Sequence, residues 1–119
     1  MEYDVVIVGG GPSGLSTAIK LKQLNPNINV CILEKAAEIG AHILSGNVFE
    51  SRALDELIPN WKDLNSPIKT KVKKEKFLFL SKSKSLSWPT WLLPKVQQNH
   101  KNYIISLANL CRWLAEQAE

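Results

Sequence analysis

Tyr3-Asp4-Val5-Val6-Ile7-Val8-Gly9-Gly10-Gly11-Pro12-Ser13-Gly14 is the stretch on which the fold turns. Residues 3–8 form a nearly continuous apolar run rich in β-branched side chains, the pattern of a central parallel strand covered on both faces. Three glycines break the run. Pro12 suits a first helical turn, and Leu15, Ala18, Ile19 and Leu21 or Leu24 then recur at helical spacing, which predicts a helix ending near Asn25-Pro26. Asn29 to Leu33 is a second apolar run closed by Glu34. Residues 1–35 therefore read as a strand, helix, strand unit whose two strands are parallel neighbours joined by a right-handed crossover.

Gly9, Gly11 and Gly14 spell GxGxxG between that strand and that helix. The first glycine permits the tight turn, the second lets backbone approach a pyrophosphate, and the third lets the helix pack closely on the strand. Backbone N–H groups at the helix N-terminus, together with its positive dipole end, favour phosphate, and Ser13 adds a hydroxyl donor. Glu34 closes the next strand where an acid accepts hydrogen bonds from an adenosine ribose. Its charge argues against a ribose 2′-phosphate, although Lys35 beside it weakens that argument. Dinucleotide binding is the reading these features share, and FAD against NAD is left open by them. Gly40 to Gly46, which includes Ala41, His42 and Ser45, can line the rest of an extended cofactor with exposed backbone; its plainer reading is a flexible connector.

The remaining pattern is less regular. Residues 36–47 look irregular, and Ser51 reads as the cap of a short helix running to Ile58 before Pro59. Between Pro67 and Ser87 two or three short strands are expected, followed by the proline-broken apolar stretch Trp88 to Pro94, so that residues 67–98 make a β-rich insertion with an apolar loop. Asn102 to Glu119 reads as one amphipathic helix with Ile104, Leu107, Ala108, Cys111, Leu114, Ala115 and Ala118 on one face. That helix has no glycine, asparagine or proline stop signal, which suggests a segment of something longer.

Composition narrows the class without naming a partner. With 45% hydrophobic and 22% charged residues in 119, the chain is an ordinary globular one, and a net charge of +4 falls short of a nucleic-acid signature. The two cysteines, Cys31 and Cys111, lie in apolar patterns without CxxC spacing and read as reduced core residues. No apolar run approaches the roughly 18 residues of a membrane span.

Glu34 to Gly46 (EKAAEIGAHILSG) and Asn99 to Glu119 (NHKNYIISLANLCRWLAEQAE) resemble the electron transfer flavoprotein-ubiquinone oxidoreductase family, and the resemblance covers essentially the whole chain. It implies an α/β, Rossmann-like FAD-binding domain, present here in part, residues 1–119 being its N-terminal portion. It further implies an enzyme that takes electrons from reduced electron transfer flavoprotein, passes them through FAD and a 4Fe-4S cluster, and reduces ubiquinone at an inner membrane. On that resemblance Gly9, Gly11, Ser13, Gly14, Glu34 and Lys35 hold the ADP half of FAD, and Gly40, Ala41, His42, Ser45 and Gly46 line the route to the flavin. Ser106 stands where some relatives carry arginine near the cofactor. Neither Cys31 nor Cys111 is assigned to the cluster, whose ligands the resemblance places beyond this segment.

The family attaches to one membrane leaflet, which turns Trp88, Trp91, Leu92 and Leu93 from a buried loop into an expected membrane contact. With no transit peptide ahead of the first strand, a bacterial inner membrane is expected ahead of a mitochondrial one. The lysines at 69, 71, 73, 74 and 76 read as a solvated strand edge before a lipid or protein contact. His42 and His100 invite a proton-transfer role, but flavin carries its own redox chemistry and no catalytic acid or base is assigned. Two alternatives stand beside this reading: a geranylgeranyl reductase-like flavoenzyme, and an inactive truncated nucleotide-binding module.

Overall fold

Val5–Val8 (β1), Pro12–Leu24 (α1) and Val30–Leu33 (β2) form the opening unit in a computed structural model that describes residues 2–119. β1 and β2 are parallel, paired from Val5 opposite Val30 to Val8 opposite Leu33. Apolar spacing drives α1 onto the core through Leu15, Ala18 and Ile19, whereas Leu24 is largely exposed. Asn25 leaves helical geometry immediately before Pro26, as the restriction on residues preceding proline requires.

Two parts of the second half depart from the periodicity reading. Tyr103–Ser106 is a strand (β7), not the first turn of a helix, and the final helix (α3) runs from Leu107 to Ala118. Tyr103 and Ile105 are buried while Ile104 is exposed, an alternation of period two that β-branched and aromatic residues favour. The apolar positions taken as one helical face are therefore split between a strand and a helix. β7 lies centrally in a three-stranded antiparallel sheet, between Ser45–Phe49 (β3) and the two-residue Thr70–Lys71 (β4). β3 itself begins in the stretch expected to be irregular, residues 36–47, and runs two residues past it. Gly46 sits at the register shift between Ser45 and Asn47 with φ +84°, the left-handed geometry of a glycine bulge.

The short helix Arg52–Leu57 (α2) is present, but Ser51 does not cap it. Its backbone is already helical, and its hydroxyl donates to the Asp55 carboxylate at 3.0 Å instead of accepting a backbone N–H. The expected strands of residues 67–98 divide between two places. β4 forms an edge of the three-stranded sheet, while Phe77–Leu80 (β5) and Ser85–Trp88 (β6) make a separate hairpin. 3-10 turns follow at Thr90–Leu92 and Lys95–Gln97.

One buried cluster joins α1, α2, β7, α3 and the intervening loop, with Leu15, Trp61 and Cys111 its most enclosed large side chains. Burial of each such apolar side chain contributes about 1.5–3 kcal/mol. Trp61 packs edge-on to Tyr103 at 5.8 Å and donates its indole N–H to Asp55 Oδ1 at 2.6 Å; Trp113 donates to the Leu64 carbonyl at 3.0 Å. Both tryptophans thus enter the core with their polar atom satisfied. Asp55 is held below the usual carboxylate range, first by Trp61 and then by Ser51. Burial pushes the Cys111 thiol up, as expected for an inert core cysteine, and Cys31 is half-buried in β2.

Candidate dinucleotide site

The turn between β1 and α1 is built on glycines for separate steric reasons. Gly9 has φ +107°, a conformation that L side chains rarely adopt. A Cβ on Gly14 would stand 2.0 Å from the Gly9 carbonyl oxygen, so only glycine lets α1 start this close to the strand. Gly11 faces open space, with nothing within 4 Å of where its Cβ would be. The helix has no side-chain cap, and the N–H groups of Gly11, Ser13 and Gly14 have no acceptor among the described residues. Pro12 has no N–H to satisfy. Free donors at the positive end of a thirteen-residue helix are suited to a phosphate.

Glu34 does more than the sequence reading asked of it. Its Oε2 accepts the Gly10 N–H at 2.6 Å and its Oε1 the Ala36 N–H at 2.8 Å, so the carboxylate ties the glycine turn to the loop after β2. Those two donors, Ala36 first, hold its carboxyl below the usual value of 4.5, aided by the charge of His42 and the Lys35 N–H and opposed by partial desolvation. Each carboxylate oxygen keeps a second lone pair, so both bonds are compatible with ribose hydroxyls as further donors. Gly10, silent in the GxGxxG pattern, is closely packed here: a Cβ would meet Glu34 Oε2 and Ile39 at 3.1 Å, and those side chains would have to give by a few tenths of an ångström. These residues fit the ADP half of a dinucleotide, with free N–H groups for pyrophosphate and an oriented carboxylate for ribose.

The other expected residues fall into different surroundings. Lys35 and Ser13 are exposed beside the turn. Gly40 is buried with φ +86°, and a Cβ there would lie 2.8 Å from the Ala108 carbonyl oxygen, so its visible task is close packing against α3. Arg112 reinforces that contact by donating to the Ile39 carbonyl at 3.3 Å and pairing with Glu38 at 3.5 Å. Ala41 and His42 are exposed between this clamp and β3, and Ser45 and Gly46 already belong to β3. Ser106 caps α3, its Oγ accepting the Asn109 N–H at 3.4 Å. Sequence reasoning missed the Arg112 clamp because its partners lie more than seventy positions away with no motif between them. Gly10 and Ala36 carried a weak signal, since they flank the residues the motif names.

A second group of expected residues lies on the hairpin and the turn after it. Trp88, Trp91 and Leu92 are exposed, Trp91 to 76%; on the hairpin the register puts Phe77, Phe79 and Leu86 on the face of Trp88, and the exposed Leu78 and Leu80 on the opposite face. Leu93 is half-buried and uses its carbonyl to accept the Gln98 amide. Phe77, Phe79 and Trp88 stack edge-to-face in sequence, which stiffens the hairpin without burying it. At its base Glu75 accepts both the backbone and the side-chain amide of Asn99. His100 is exposed and has no hydrogen-bond partner among the described residues. Among the described residues no group of three or more His, Cys, Asp or Glu side chains converges to hold a metal, and no helix is long and apolar enough to cross a membrane.

Comparison with known proteins agrees with the resemblance. The model of the Thi4 family, a FAD-binding family, matches residues 1–59. The chain is 55% identical to the mitochondrial electron transfer flavoprotein-ubiquinone oxidoreductase of Dictyostelium discoideum, covering 99% of this chain and 20% of that protein. It is 52% identical to the probable electron transfer flavoprotein-ubiquinone oxidoreductase of Acinetobacter baylyi (100% and 22%) and 48% identical to the mitochondrial enzyme of Bos taurus (99% and 20%). The chain thus spans about a fifth of the length of the curated relatives it matches.

Proposed function

We propose that this chain supplies the ADP-anchoring part of an electron transfer flavoprotein-ubiquinone oxidoreductase, folded as a portion of a Rossmann-like FAD domain with a β-rich insertion at residues 67–98. The observation that carries this reading is the uncapped glycine turn, with its three free N–H groups and an oriented Glu34, in a chain about half identical to enzymes of that name. Gly11, Ser13 and Gly14 bind the pyrophosphate through backbone donors, the Ser13 hydroxyl adds a further one, and Glu34 accepts from the adenosine ribose. Bound FAD supplies the electron-transfer chemistry itself. Lys35 sets a positive charge near the phosphates, and Gly40, Ala41, His42, Ser45 and Gly46 form the wall along which the cofactor extends. The relatives' names favour this over a geranylgeranyl reductase-like enzyme.

In the complete protein, electrons pass from reduced electron transfer flavoprotein through FAD and a 4Fe-4S cluster, held by residues outside this segment, to ubiquinone. The exposed Trp88, Trp91 and Leu92, with Phe79 stacked on Trp88, supply a one-leaflet contact with the inner membrane, and the half-buried Leu93 lies beside them in the chain. Relatives of both bacterial and mitochondrial origin carry the same name. The test is purification of the complete protein, an absorbance spectrum for flavin, and an assay of ubiquinone reduction by reduced electron transfer flavoprotein. Retained flavin and reduction that disappears with Gly11→Glu support the reading. A folded protein that binds no FAD overturns it.

A further inference from the structure

A cavity of about 350 Å³ opens between the loop after α2 and the β4–β7 pair, and no residue of the glycine turn lines it. Lys62, Lys69 and Lys71 line it together with Trp61, Ser66 and Tyr103. None of the three lysines has an ion-pair partner among the described residues. Two of them are braced: Lys62 lies over the Trp61 ring at 5.3 Å, and Lys71, directly across the sheet from Tyr103, lies over its ring at 5.9 Å. Asp55, bound to the indole of Trp61, offsets part of the charge of Lys62, which leaves the recess positive.

Ser66 is 5% and Tyr103 8% exposed, yet neither hydroxyl makes a hydrogen bond to any described residue, and neither is sealed from solvent. A nearly buried hydroxyl without a protein partner, reached by solvent, is free to donate to a group that enters the recess. We infer that this recess binds a phosphoryl group, with Lys62, Lys69 and Lys71 supplying charge and Ser66 and Tyr103 supplying hydroxyl donors. Three ammonium groups on separate stems suit a tetrahedral dianion approached from several sides. A planar carboxylate is matched better by an arginine fork, and neither Arg52 nor Arg112 lines the cavity. The recess has room for more than a bare phosphate, so the group can enter on a larger molecule, either a soluble phosphate ester or a phospholipid headgroup. The site is separate from the glycine turn and does not depend on FAD.

The experiment titrates the complete protein with inorganic phosphate and glycerol 3-phosphate by calorimetry, and sediments it with phosphatidylcholine vesicles with and without phosphatidic acid. The triple change Lys62→Ala, Lys69→Ala, Lys71→Ala is expected to weaken binding about tenfold or more. Lys73→Ala, Lys74→Ala, Lys76→Ala removes the same charge from the neighbouring segment and is expected to leave binding unchanged. Ser66→Ala keeps the charge and the fold and is expected to weaken binding several-fold. Saturable binding of the soluble phosphates assigns the site to a soluble ester; binding only to phosphatidic acid vesicles assigns it to a headgroup. Absence of saturable binding to both overturns the proposal, as does equal loss in the two triple variants.

Discussion

Trp61 and Trp91 are the same residue in opposite circumstances. Trp61 is 1% exposed, edge-on to Tyr103, with its indole N–H held by Asp55; Trp91 is 76% exposed on a turn beyond the β5–β6 hairpin. Around the first, α1, α2, β7 and α3 close a single apolar cluster. Around the second, Leu80, Leu86 and Phe79 are also exposed, so the hairpin carries apolar side chains that its own fold does not bury. Exposed apolar side chains on both faces of the hairpin are what the proposed membrane contact would use. The contrast separates residues that hold this chain together from residues that its own fold leaves exposed.

The largest expected effect breaks the first region. Trp61→Ala should destabilise by about 3–5 kcal/mol, through lost burial and a cavity, as measured by thermal or denaturant unfolding. An effect comparable to that of Trp91→Ala would mean the core is not where the structure puts it. Gly14→Ala comes next: its Cβ meets the Gly9 carbonyl oxygen at 2.0 Å, and overpacking against backbone should cost about 1–3 kcal/mol and remove FAD from the complete protein. Retained flavin with unchanged melting would sink the turn as drawn.

Glu34 gives a smaller effect, graded by pH. Its carboxyl is lowered in the folded chain, so its contribution is fully present above the ordinary value of 4.5 and is lost as pH falls through the lower folded value. The Gly10 and Ala36 amide resonances should move together in that acidic window in the wild type and stay still in Glu34→Gln. Independent titration of the two amides would show that one carboxylate does not bridge them. The smallest effect belongs to Trp91→Ala, which should change stability by less than about 0.5 kcal/mol while reducing cosedimentation with phospholipid vesicles. A marked stability loss would show that the exposed apolar surface is structural.

Much of the first 35 residues was legible because their signals are local. The alternation of apolar runs, the glycine spacing and the acid at 34 depend on neighbours in the chain, and the parallel pairing of β1 with β2 follows from them. Beyond residue 36 the deciding partners are distant. β3 looked irregular because Ser45-Gly46-Asn47 has poor strand propensity, and it forms because β7 offers a ladder that a bulge at Gly46 can follow. Tyr103 to Ser106 was read as helix because its apolar residues also match helical spacing; pairing on both edges, with β3 and β4, makes it a strand.

The candidate site divides in the same way. Chain order alone names Gly9, Gly11, Gly14 and Glu34, since their spacing falls within one strand, helix, strand unit. That Glu34 holds Gly10 and Ala36, that Gly40 is pressed against Ala108, and that Lys62, Lys69 and Lys71 surround two unpaired hydroxyls emerge only from the packed molecule. The reason is physical. Steric demands of a tight turn act between adjacent residues and leave a pattern in the sequence, whereas hydrogen bonds and burial act between whatever surfaces folding brings together, and those carry no spacing that can be read beforehand.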